Sequence, residues 1–171
     1  TPQQEKLWFV WKLEGGLKEY NQQLVIRDPQ CLNRKAVESL FNQLVMANPA
    51  LRTQFYQEKG EWFQKAISSV SLELDWESVS TVLPKDLNAM CLSEKETEFD
   101  LTKQIGLKVK VLETSEANNI WILTLSHLIF DGASAAVLLE DISLLAQDKH
   151  LSKDKDYFDY AQWVQLISQP V

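Results

Sequence analysis

The stretch "NIWILTLSH" at residues 119–127 constrains the fold more than any other part of the chain. It is apolar almost throughout, whereas a strand with one wet face alternates between apolar and polar residues. It reads as a strand covered on both faces, and so as an inner strand of a sheet with helices packed on it. Alternation along it puts His127 on the face of Trp121, Leu123 and Leu125. Ser126 falls on the other face, with Ile120, Ile122 and Thr124.

The remaining segments fit around such a strand. "LKVKVLE" (107–113) alternates, with Leu107, Val109 and Val111 inward and Lys108 and Lys110 outward. "NQQLVIRD" (21–28) and "LELDW" (72–76) read as further strands. "LRTQFYQ" (51–57) and "EWFQKAI" (61–67) form a hairpin across Gly60. Residues 33–47 make a helix that Asn33 can cap, with Val37, Leu40, Phe41, Leu44 and Val45 as its apolar stripe. Asn48-Pro49 stops it. Other helices are expected over 3–13, about 84–97, about 133–147 and about 156–168. The expected fold is an α/β (α+β) sandwich: one domain over 1–171 whose mixed or antiparallel sheet is flanked by helices.

Composition narrows the function. A net charge of −7 argues against a general nucleic-acid binder and against an anionic membrane surface. No apolar run reaches membrane-spanning length, and no signal peptide is visible. Cys31 and Cys91 stand apart, with no C-x-x-C pattern, and read as reduced thiols of a cytoplasmic protein. No metal-ligand spacing and no glycine-rich phosphate loop is present. Position 1 is Thr rather than Met, so a chain cut from something longer, or processed, is expected.

The candidate chemistry lies just past the apolar strand, in "SHLIFDGAS" (126–134). A histidine at a strand end, beside a glycine and a helix start, is placed to act as a general base. Asp131 can satisfy free N–H groups at the start of the next helix. The Gly132 N–H can help hold an oxyanion. On the opposing view His127 is a satisfied core histidine, and His150, in the charged loop "QDKHLSKDKD", is solvated.

Six pieces in order resemble the condensation domain of nonribosomal peptide synthetases, of the H-H-x-x-x-D-G superfamily. They are "TPQQEKLWFVWKLEG", "YNQQLVIR", "NPALRTQF", "EFDLTKQIGLKVKVLE", "SHLIFDGAS" and "YFDYAQW". The resemblance implies a chloramphenicol acetyltransferase-like half fold. It implies that His127 positions or deprotonates an acceptor amine that attacks a donor thioester. It implies that Asp131 is structural and pairs with Arg52, and that Gly132 is the motif glycine. Two departures stand out: Ser126 replaces the first motif histidine, and "NPALRT" replaces the usual run before L-R-T.

The resemblance covers the family's first lobe, with the C-terminal lobe expected to come in cis or in trans. The implied activity is part of an acyl transfer in natural-product biosynthesis, peptide or hybrid polyketide. It forms an amide, or in the nearest variant an ester, between groups held on carrier proteins. The implied partners are acyl or peptidyl carrier proteins, which bring their own phosphopantetheine arms, so the chain itself binds no cofactor. The isolated chain is expected to be inactive, because an open site is wet and fixes neither substrate arm. The alternative is a truncated, non-catalytic module that docks onto a partner subunit, a reading that Ser126 also fits.

Overall fold

The computed structural model describes residues 2–14, 18–28, 30–115 and 119–151. A four-stranded sheet runs in the order β1-β6-β5-β4, from β1 (Gln22–Asp28), β4 (Asp75–Val79), β5 (Leu107–Thr114) and β6 (Asn119–Leu125). β6 pairs antiparallel with β1 and β5, and β4 pairs parallel with β5, so the sheet is mixed. β2 (Thr53–Glu58) and β3 (Glu61–Ala66) form a separate hairpin, turning through Lys59 and Gly60, both at positive φ. The helices are α1 (Pro2–Glu14), α2 (Arg34–Ala47), α3 (Pro84–Lys95) and α4 (Gly132–Ala146). The expected helix over about 156–168 lies outside the described residues.

Every residue of β6 is buried, because helices cover both faces of the sheet. On one face Trp121, Leu123 and Leu125 meet the stripes of α2 and α4, with Phe41 edge-on to Trp121 at 5.4 Å between ring centroids. On the other, Ile120 and Ile122 pack with Leu112 against Leu87, Met90 and Cys91 of α3. Asn33 caps α2 by accepting the Ala36 N–H. At the far end of α2, Asn48 Nδ2 donates to Leu44 O and to the buried Asp141 of α4, tying the two helices together.

Two expectations are corrected here. "LELDW" is not itself a strand: Leu72 and Leu74 pack into the main core under α2, and the sheet strand starts at Asp75. Lys110 does point away from the main core, but onto the α3 face rather than into water. It is 14% exposed there and paired with Asp75, Glu77 and Glu94.

A second, smaller cluster joins α1 to the hairpin. Trp8 stacks on Trp11 and Phe55 at 4.6 and 4.8 Å and tilts against Trp62 at 4.5 Å. Leu101 and Leu128 complete it. Of these, Leu128 belongs to the turn that carries the candidate histidine.

Candidate functional site at the rim of the central strand

β6 stops one residue short of Ser126, at Leu125, which is flanked by Gln22 of β1 and Leu107 of β5. Ser126, 3% exposed, extends the ladder by a single bond from its N–H to Gly106 O at 2.9 Å. The chain then turns, closed by Ile129 N–H to Ser126 O at 3.1 Å. The turn is anchored on both sides by its apolar residues, since Leu128 enters the α1–hairpin cluster and Phe130 enters the main core. His127 lies between these anchors and is half-buried rather than lost among aliphatic neighbours. It thus belongs to the turn, not to a face of the strand as the alternation suggested.

The imidazole is oriented by its own turn. Nδ1 lies 2.7 Å from the Phe130 carbonyl oxygen. A carbonyl can only accept, so Nδ1 carries the proton and Nε2 of the neutral ring keeps its lone pair. That is the form a proton acceptor needs.

Asp131 is the N-cap of α4 in a reciprocal capping box. Its Oδ1 accepts from Ser134 N–H at 2.8 Å and from the Ser134 hydroxyl at 2.7 Å, and its own N–H reaches Ser134 Oγ at 3.4 Å. The Ser134 hydroxyl, and after it the Ser134 amide, hold the Asp131 carboxyl below its ordinary range, with a smaller contribution from His127. Gly132 opens the helix, and a Cβ there would meet nothing within 4 Å. Its φ is not positive, so neither packing nor strain asks for glycine. What the position offers is free space beside helix N–H groups.

The expected Arg52–Asp131 pair does not form. Arg52 ends the 3-10 turn Pro49–Arg52 and donates through Nη1 to Ile67 O at 2.6 Å, while its own carbonyl accepts the Ile67 N–H at 3.0 Å. It therefore clasps the exit of the hairpin. Asp131 already has partners in the first turn of α4, which is where a short capping side chain reaches.

Two supporting residues were not singled out from sequence. Gln4 Nε2 donates to Leu128 O at 3.0 Å and to Gln64 Oε1 at 3.1 Å, so α1 holds both the histidine turn and the hairpin. Gly106, the residue just before β5, packs on Ser126 and accepts its N–H. The available signal for it was a lone glycine directly before a cleanly alternating strand.

Comparison with known proteins places these features in a family. A model described as "Condensation domain" matches residues 1–170. Phosphinothricin tripeptide synthetase PhsC of Streptomyces viridochromogenes is 28% identical over 172 residues, covering 94% of this chain and 16% of that protein. Surfactin synthase subunit 1 of Bacillus subtilis is 26% identical over 167 residues, covering 97% of this chain and 4% of that protein. Among solved structures, a mutant starter condensation domain of the rhizomide synthetase RzmA superimposes with a TM-score of 0.84 at 12% identity. That match covers 99% of this chain and 43% of the solved one. The chain thus spans a small part of these curated relatives and under half of the solved domain.

Proposed function

We propose, because this chain belongs to the condensation-domain family, that it supplies the histidine wall of an amide-forming acyl-transfer site. The remaining wall comes from the rest of the domain, in cis or in trans. The observation that carries the reading is the 2.7 Å contact between His127 Nδ1 and Phe130 O, which leaves Nε2 as the acceptor.

In this reading the donor acyl group and the acceptor amine arrive as thioesters on the phosphopantetheine arms of two carrier proteins. The amine nitrogen attacks the donor thioester carbonyl carbon. Nε2 takes a proton from that nitrogen, or holds the amine by a hydrogen bond while the proton leaves by another route. The carbonyl oxygen becomes an oxyanion, and the open space at Gly132 lets it approach the first N–H groups of α4. Collapse breaks the C–S bond, the thiolate leaves with the proton, and the amide remains on the acceptor arm. Ser126 does not enter these steps, because its side chain is buried against Gly106. A hydroxyl acceptor would follow the same course to an ester.

The second reading is a non-catalytic module that docks onto a partner subunit, favoured by Ser126 where the family motif begins with histidine. One experiment separates the two. The chain is joined to, or mixed with, the rest of a condensation domain and loaded carriers, and product is followed by mass spectrometry. Catalysis predicts that His127→Ala lowers turnover by about 100-fold or more with an unchanged fold. Docking predicts equal association and equal product with either histidine or alanine.

A further inference from the structure

The proposed reaction needs the His127 proton to stay on Nδ1, and the bond that keeps it there lies wholly inside residues 127–130. A turn of this length has to be held from outside. Gly106 does so twice over. Its carbonyl accepts the Ser126 N–H at 2.9 Å, fixing the residue before the histidine. Its missing side chain leaves the space the turn occupies. A Cβ on Gly106 would lie 2.9 Å from Ile129 Cδ1, 3.0 Å from Leu101 Cδ2 and 3.0 Å from Ser126 Cβ. The isoleucine and leucine methyls are chain ends and can rotate away. Ser126 Cβ is bonded directly to the backbone, so relief there moves the turn itself. Gly106 does not have positive φ, so alanine fits its backbone and any effect comes from contact alone.

We propose that Gly106 is a positioning residue for His127: its bare Cα seats Ser126 and Ile129 so that the imidazole stays bonded to the Phe130 carbonyl. Gln4 holds the same turn at a second point, through Leu128 O. The consequence for turnover rests on the acyl-transfer reading of His127. The position of the ring proton does not, and it is read without any substrate.

The test is long-range proton–nitrogen NMR of the whole chain, which has two histidines, at a pH well above the ordinary histidine pKa of about 6.5. Gly106→Ala should lower the ratio of Nδ1–H to Nε2–H forms of His127 by about five- to tenfold, the size of one net hydrogen bond. Ser126→Gly in the Gly106→Ala background removes the crowded Cβ and should restore the wild-type ratio. Val111→Ala, which weakens the core far from the turn, should lower thermal stability and leave the ratio alone. An unchanged ratio in Gly106→Ala, or no recovery in the double variant, overturns the proposal. If Gly106→Ala does not fold, Gln4→Ala decides: a fall of about threefold supports the clamped turn, and no fall refutes it.

Discussion

His127 Nδ1 and Phe130 O are 2.7 Å apart, a bond between residues three positions apart that closes over a turn whose apolar members sit in two different cores. The ring therefore owes its orientation to the ends of the apolar strand and of α4. It does not owe it to the Asp131 carboxylate, which faces the helix it caps.

Asp131→Ala should cost about 1 kcal/mol, the usual value of an N-cap. The loss should depend on pH. The Asp131 pKa is lowered in the folded chain, so its contribution is complete above the unfolded value of about 3.9. It disappears as pH falls through the lower folded value. Urea melts should separate the two proteins at pH 7 and bring them together in strong acid.

Arg52→Ala leaves the Ile67 carbonyl without its side-chain donor and should cost about 1–3 kcal/mol. A double-mutant cycle with Asp131→Ala should give coupling within about 0.5 kcal/mol of zero, because the two groups share no partner. Coupling well above that would restore the ion pair expected from the motif.

Trp8→Ala should cost about 3–5 kcal/mol, since the indole fills the joint between α1 and the hairpin. Hydrogen exchange should rise first in β2 and β3, with β5 and β6 the last to open, because the main core does not include Trp8.

Lys110→Met should destabilise the chain by about 1–3 kcal/mol. That is less than a fully buried pair, because Asp75 and Glu77 stay partly in water. Burial alone would lower the Lys110 pKa, but hydrogen bonds to Glu77 and Asp75 outweigh it and raise the pKa. The contribution is thus complete below the unfolded value of about 10.4 and lost only in stronger alkali. Melts between pH 5 and 9 should show a constant difference.

How much of this was legible in the sequence follows from the range of the interactions. The apolar run 119–127, the alternation of 107–113 and the stripe of α2 are short-range patterns; the last two became the elements they suggested, and the first became a strand that ends at Leu125, two residues before its expected end at His127. Asp131 as a cap was legible for the same reason, its partner being three residues away. "LELDW" misled because inward alternation can serve a loop crossing the core as well as a strand. The Gln4–Leu128 bond, 124 residues apart, and the packing of Gly106 on Ser126 left no periodic trace. Arg52 was placed by the resemblance rather than by local chemistry, and its nearest acceptor proved to be a backbone carbonyl.

The most direct measurement is the site of the His127 ring proton with its turn unaltered, read by long-range proton–nitrogen NMR in a His150→Ala chain that lacks the second histidine. The expected result is a protonated Nδ1 and a bare, pyridine-type Nε2 at a pH where the ring is neutral. A ring protonated mainly on Nε2 would leave no lone pair facing an acceptor amine and would contradict it.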